Sequence, residues 1–418
     1  MSERVQVPKE QLRQGRKRIL EKVRKQRKRR KQLQVSAAGL AVAILLFTFS
    51  IRVSPAFANY VAKIPGFEPF VELVAFDKGI EDMLANDYFE EIGESVTSPE
   101  NNVTLTVVGV AADYSGLSIA YTLNAPFDLS KEATPNIEIR QGNKPIQAGF
   151  SYGWAHEEES RYVEDIIQLT LHNGMDYSNR DFELVFTFTG EKAGTVRVPF
   201  TLEQEILQPK LLAENQTLTF ENQSITFKKI EVSPLRATLT IEIDEDNTMQ
   251  ILSFEDLKLV DEYGEEWSAI RNGVSATGST RDDEYVIYIQ SNYFREPKQL
   301  KLEIGAVTAL PKGEDYIIVD FEKDEIIHKP SYEELTFKVD YRTVTVKGHY
   351  PETGGKSVLM SALDADGVEH YGGSHEFEHD ENELEERISF DGTVASPAKL
   401  PIMYYPNVIA KNVEVQLK

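Results

Sequence analysis

Residues 103–123 read VTLTVVGVAADYSGLSIAYTL, and the spacing of apolar residues in this stretch decides the fold class. Val103, Leu105 and Val107 alternate with Thr104, Thr106 and Val108. After a short polar break, Leu117, Ile119, Tyr121 and Leu123 alternate with Ser118, Ala120, Thr122 and Asn124. A period of two sends successive side chains to opposite faces of a pleated strand, so the stretch predicts two half-buried strands. The same opening recurs as QSITFKKIEV with RATLTIEID at 223–244, and as ELTFKVDYRTVTVKGHY at 334–350. That repeat distance, about 110 to 120 residues, matches sandwich domains of ~100 residues.

Later elements of each repeat correspond as well. Hairpin-like segments appear as IEIRQGNKPIQA, LKLVDEYGEEWSA and SALDADGVEHYG, with Gly142, Gly264 and Gly367 available for positive φ at the turn. A central strand follows in each as DIIQLTLHN, EYVIYIQSN and ERISFDG. The repeats close with FELVFTFTGEKAGTVRVPFTL, QLKLEIGAVTALPKGEDYIIVDF and LPIMYYPNVIAKNVEVQL. No helix-length apolar run intervenes, which disfavours parallel α/β architectures. The expected fold is therefore mainly β, with tandem antiparallel Ig-like β-sandwiches at 101–206, 217–325 and 333–418. Leu207–Gln216 and Glu322–Glu334 are the expected linkers.

Working toward the N-terminus, the period changes. Phe70 to Leu84 carries Leu73, Phe76, Ile80, Met83 and Leu84 on one helical face, with Asp77, Lys78, Glu81 and Asp82 on the other. This predicts a juxtamembrane helix packed on the first β-domain, within a segment 52–100 that starts as a linker containing Pro55, Pro65 and Pro69. Val35 to Ile51, VSAAGLAVAILLFTFSI, has no charged residue. At ~1.5 Å per residue it spans roughly 25 Å as a helix, close to a hydrocarbon core once flanking residues snorkel. A cleavable signal peptide is the competing reading, because Ala56-Phe57-Ala58 offers an A-x-A site. The long basic region and the seventeen-residue run favour an uncleaved anchor.

Charge divides at the apolar run. Residues 1–34 hold fourteen Lys or Arg against three Glu, a net of +11, so the whole-chain value of -23 leaves -34 on residues 35–418. A polybasic flank predicts a cytoplasmic N-terminus and an extracytoplasmic body, with the lipid bilayer as a partner. The acidic body has no electrostatic affinity for nucleic acid. The chain has no cysteine, so its domains stand without disulfides, a composition that suits the surface of a Gram-positive cell. Within the tail, Pro8 begins a helix-forming stretch on which Leu12, Ile19 and Val23 share a narrow apolar stripe. With the basic residues Arg16 and Arg24 they are the candidate partner-binding residues; a headgroup-bound collar is the simpler alternative.

Sites for chemistry are sparse. His375-Glu376-Phe377-Glu378-His379 matches H-E-x-x-H, whose zinc chemistry needs both imidazoles one helical turn apart and the Glu beside a metal-bound water. Here Gly372-Gly373-Ser374 and alternating strands surround the motif, and the corresponding stretches of the other repeats, AHEEESRY and ATGSTRDDEY, do not preserve it. His375, Glu376 and His379 therefore remain minor metal candidates. Asp364-Ala365-Asp366-Gly367 resembles the start of a calcium loop, but the later ligand positions are missing and a hairpin turn explains it better. No phosphate loop or nucleophile elbow is present, so no catalytic residue and no cofactor is expected. Trp154 and Trp267 follow hairpins and are expected at the core or its rim.

Taken together, Val7-Pro8-Lys9, the run ending in Ser54-Pro55-Ala56-Phe57-Ala58, Ile64-Pro65-Gly66 and NVTLTVVGVAADYSGLSIAYTL resemble a family of membrane-anchored bacterial proteins with extracytoplasmic domains of unknown function. The likeness covers about residues 5–205, and the middle domain resembles the Ig-like domain that often follows. Members are often encoded beside extracytoplasmic-function sigma factors and are treated as candidate anti-sigma or accessory regulators. The resemblance implies a cytoplasmic sigma factor as a partner of the tail; the body, which lacks sites for chemistry and presents acidic strand edges and loops, is expected to recognise an extracellular protein or cell-wall ligand. It implies no catalytic signature. The tail departs from the best-understood anti-sigma factors, being only 34 residues and shorter than their multi-helix sigma-binding domain. A structural or wall-binding envelope protein is the alternative reading.

Overall fold

Asp113 and Gly116 sit opposite one another at the end of a hairpin formed by Thr104–Asp113 and Gly116–Asn124, so the polar break in the opening stretch is its turn. The computed structural model describes residues 77–154, 160–270, 275–348, 357–380 and 383–418. The tail, the apolar run and the linker lie outside the described residues. Described strands pair antiparallel throughout, and they form six sheets stacked as three sandwiches, each with its own apolar core. The fold is mainly β, as the alternation predicts.

In the first sandwich one sheet runs in the order Phe89–Thr97, Thr104–Asp113, Gly116–Asn124, Tyr162–Thr170, Gly149–Ser151. It faces a second sheet ordered Lys144–Pro145, Asn136–Gln141, Asp181–Phe188, Gly194–Thr201. Leu105, Val107, Leu117, Ile119, Tyr121 and Leu123 line the core between the sheets, as the periodicity requires. The expectation of half-buried strands fails at one end. From Val107 to Asp113 every residue of the strand is buried, because something covers the outer face as well.

Part of the cover is the Phe89 ring, which lies against Gly109. Beside this sandwich stands the helix Lys78–Ala85, where the sequence predicts 70–84. Asp77 caps it, its Oδ1 accepting from the amides of Gly79 and Ile80 at 3.0 and 3.2 Å. Ile80, Met83 and Leu84 are buried. Gly79 is required by close approach: a Cβ there would meet the Leu235 carbonyl oxygen at 2.4 Å. The helix thus packs on the first sandwich, as expected, and also touches the second.

The second sandwich repeats the first. Its outer sheet runs Lys210–Phe220, Gln223–Val232, Arg236–Ile243, Tyr285–Gln290, Ala276–Thr277. Its other sheet is built around Leu300–Pro311, which pairs along one edge with Met249–Glu255 and Lys258–Asp261. The opposite edge pairs with Val408–Gln416, Leu302 facing Val415 and Ile304 facing Val413. In the first sandwich the same position beside Asp181–Phe188 is held by Gly194–Thr201, the very next strand in sequence.

The domain limits read from sequence change accordingly. Val408–Gln416, expected to close a third unit at 333–418, closes the second, and Tyr316–Asp320, expected to close the second, opens the third. The third sandwich is therefore inserted between the last two strands of the second. Its incoming and outgoing strands, Tyr316–Asp320 and Ala398–Pro401, pair with each other, which brings the two crossing points together. Arg281 holds both crossings: its guanidinium reaches Asp315 Oδ2 at 2.6 Å, and donates to the carbonyls of Asp315 and Ile402 at 2.9 Å each. Leu252 and Leu310 of the second sandwich join the third core, so the two units share apolar contact.

Candidate functional site

The two sequence-equivalent hairpin ends of the first and second sandwiches meet at one corner. Turn 113–116 of the first lies against turn 233–236 of the second, and the Leu235 amide donates to Asp113 Oδ2 at 2.7 Å. Asp113 is fully buried; its Oδ1 accepts from the Ser115 amide (2.7 Å), the Ser115 hydroxyl (2.6 Å) and the Gly116 amide (3.2 Å). Arg236 is also buried, donates to the Thr170 hydroxyl, and lies over the Tyr288 ring with its guanidinium carbon 5.7 Å from the centroid. Asp77 approaches from the helix, where Gln168 donates to its Oδ2 at 3.3 Å. Buried Asp113 and Arg236 and partly buried Asp77 thus lie at one corner, where the two carboxyls act on the guanidinium electrostatically.

Burial dominates the electrostatics there. Desolvation raises the pKa of Asp77 and of Asp113 above the ordinary carboxylate value, against the lowering effects of the hydrogen bonds they accept and of Arg236. Desolvation likewise lowers Arg236, opposed by Asp113 and Asp77. Around this set the helix is tied to the second sandwich by Asp82, which takes two bonds from Arg295 at 2.7 and 2.9 Å. Lys78 reaches Glu265 Oε1 at 3.2 Å and lies 5.1 Å from the Trp267 ring centre. His172 of the first sandwich meets Glu284 of the second at 2.6 Å.

None of these junction residues is singled out by motif in the sequence. Asp113 follows a hydrophobic strand and reads as a turn residue; Arg236 opens the equivalent strand of the next repeat. A usable signal does exist: at one corner of the repeated hairpin, DYSG and SPLR carry opposite charges.

The sequence-predicted candidates fall elsewhere. Leu12, Arg16, Ile19, Val23 and Arg24 lie outside the described residues. The H-E-x-x-H segment is on the strand Ser374–Asp380, where neighbours point to opposite faces. His375 is exposed, with its Nε2 2.6 Å from Oε1 of the fully buried Glu386, which also accepts from the amides of Val358 and Leu359 at 2.7 and 3.3 Å. Glu376 is registered against Arg387. A strand does not place His375 and Glu376 side by side on one face, so the helical geometry that zinc hydrolysis needs is not assembled. Among the described residues no group of three or more His, Cys, Asp or Glu is placed to hold a metal ion. Asp364 serves the hairpin turn, accepting from the amides of Asp366 and Val368 at 3.0 and 2.8 Å, with Gly367 at φ +79°. Trp267 is in the second core, and Trp154 packs at the rim of the first.

At the outer end of the first sandwich lies a cleft of about 730 Å³, lined by Glu90, Glu91, Glu94, Asp181, Glu183 and Glu203 among others. Glu90 is committed to structure, accepting from the amides of Glu203 and Gln204. Among the described residues no helix is long and apolar enough to cross a membrane.

Comparison with known proteins adds two family matches and a structural likeness. Residues 27–125, which run from the basic tail through the apolar run into the first β-hairpin, match a domain of unknown function, DUF4179. Residues 210–339 match a family of unknown function, DUF5643, over the second sandwich and the start of the third. No curated protein matches. Among solved structures the chain is similar to the conserved domain protein from Bacillus anthracis, at 17% identity over 57% of this chain and 84% of that one, with a TM-score of 0.37. Two stretches thus match domains of unknown function, one across the apolar run and the first strands, the other in the middle of the β-rich body.

Proposed function

We propose that the protein is a single-pass, membrane-anchored extracytoplasmic binding and regulatory protein. In this reading residues 1–34 are cytoplasmic, residues 35–51 cross the bilayer, and the β-rich body stands outside and works by recognition rather than catalysis. The observation that carries the proposal is the reversal of charge at the apolar run, from +11 before it to -34 after it. The body supports it as three linked sandwiches that offer loops and strand edges to a protein or cell-wall ligand.

The finer proposal concerns the tail. Its Pro8 to Lys31 stretch engages a cytoplasmic sigma factor of the envelope-stress type through Leu12, Ile19 and Val23, and Arg16 and Arg24 steer an acidic partner surface. Three apolar residues bury little area, so the affinity is expected to be no better than about micromolar and to fall with salt. The test is capture of partners by the membrane-anchored tail, with transcript profiling of a strain carrying Leu12→Asp and Ile19→Asp. Loss of a sigma factor from the captured set with a changed regulon is expected. Unchanged partners and transcripts, with the protein inserted and abundant, leave a structural envelope role instead.

A further inference from the structure

The helix Lys78–Ala85 touches two sandwiches and belongs to the core of neither. Ile80, Met83 and Leu84 are buried but lie outside all three apolar clusters. Eight residues are fewer than the ~12 to 15 at which an isolated helix becomes marginal in water, so this helix persists only while docked. Its docking is polar on both sides: Asp77 to Gln168 of the first sandwich, and Lys78 and Asp82 to Glu265 and Arg295 of the second. The surface around it is imperfectly satisfied. Gln168 Oε1, Arg236 Nε and Asn292 Oδ1 are buried with no hydrogen-bond partner among the described residues. Two carboxyls, Asp77 and Asp113, stand at this corner against one guanidinium, that of Arg236. Each of these groups regains water if the junction opens, which lowers the cost of opening relative to a saturated apolar interface.

We propose that this helix is a two-state latch: it leaves the first and second sandwiches together, and the corner contact between turns 113–116 and 233–236 opens with it. The coupling follows from shared partners. Asp77 and Asp113 both act on Arg236, and Gly79 packs on the Leu235 carbonyl, one residue from the guanidinium and on the residue whose amide Asp113 holds. The helix cannot undock and leave that corner unchanged. In sequence it is the described element nearest the apolar run, so any ligand that pries the two sandwiches apart would free the chain leading to the membrane. The latch is a property of the body and does not depend on what the tail binds.

Hydrogen exchange on the full-length protein in lipid nanodiscs tests it with internal reporters. The Ile80 amide reports the helix, the Leu235 amide reports the corner, and the amides of Ile119 and Leu239 report the two cores. In the wild type, Ile80 and Leu235 should open with one shared constant while both cores stay more protected. Arg295→Met, which removes only the partner of Asp82, should accelerate Ile80 and Leu235 by the same factor, roughly ten-fold or more, and leave the cores unchanged. Acceleration of Ile80 alone would reduce the helix to a fraying end and overturn the proposal. So would exchange of both reporters only in step with the cores, in wild type or variant.

Discussion

Replacing Arg236 with Met keeps most of the side-chain length and removes the one cation enclosed with Asp113 and Asp77. That guanidinium bonds to the Thr170 hydroxyl and the two carboxyls act on it through space, so the cost typical of breaking a contacting buried ion pair, about 3–5 kcal/mol, is an upper bound. Two features of this site reduce that figure. Asp113 keeps its four donors, the amides of Ser115, Gly116 and Leu235 and the Ser115 hydroxyl. The substitution also removes a buried, unpartnered Nε, whose burial costs on the order of 1–3 kcal/mol. The net expectation is a loss of about 1–3 kcal/mol at the junction. Urea unfolding followed through Trp267, which sits beside Lys78 of the helix, reads it as an earlier first transition. A double-mutant cycle with Asp113→Asn isolates the pair and should give a coupling of about 1–3 kcal/mol. A neutral or stabilising Arg236→Met, with coupling under about 0.5 kcal/mol, would refute the view that this guanidinium balances the junction.

Three further outcomes follow from the same contacts. Arg281→Ala should loosen the inserted sandwich at its two crossings, raising protease cleavage near Asp315 and Ile402 while the first sandwich keeps its stability; unchanged cleavage would remove Arg281 as the clamp. Glu386→Ala should destabilise the third sandwich by about 2–4 kcal/mol, since it orphans the buried amides of Val358 and Leu359, whereas His375→Ala should cost less than half of that in the same thermal assay. Acid should act oppositely on the two regions. Asp320 and Glu385 are held below their ordinary values by hydrogen bonds from Lys323 and Lys347, and Asp364 by the Val368 amide, so their stabilisation is complete above the ordinary carboxylate range and is lost as pH falls through the depressed values. Asp77 and Asp113 are raised, so the closed junction binds more protons than the open one and tightens as pH falls through the raised values toward the ordinary one. The charged group that acts on both is Arg236 of the second sandwich. Hydrogen exchange followed from about pH 7 to about pH 2 should show Leu235 gaining protection first, and the Val344 and Ile388 amides losing it only below the ordinary carboxylate range, after correction for intrinsic rates; the reverse order would contradict the assignment.

Much of the strand content was legible because alternation is a local property. Leu105, Val107, Leu117 and Ile119 could be placed in a core from spacing alone. Pairing partners were not legible, since Val408–Gln416 has the same period whether it closes the third sandwich or the second, and only tertiary contact with Leu300–Pro311 decides. The double-sided burial of Val107 to Asp113 likewise depends on packing that the spacing does not show, the Phe89 ring against Gly109 and the second sandwich against Asp113. The H-E-x-x-H string shows the converse: a motif carries its chemistry only in its own secondary structure, and a strand separates His375 from Glu376. Buried charges such as Asp113 and Arg236 look like ordinary turn residues until two repeats are set corner to corner.

The account rests on orientation across a membrane, and a chain without cysteine makes that directly measurable. A single cysteine at Tyr263, which is 82% exposed on a hairpin turn of the second sandwich, should react with a membrane-impermeant maleimide on intact cells. A single cysteine at Gln14 should react only after the membrane is permeabilised. Labelling of Gln14→Cys on intact cells, or protection of Tyr263→Cys until permeabilisation, would contradict an anchored protein with its basic tail inside and its β-rich body outside.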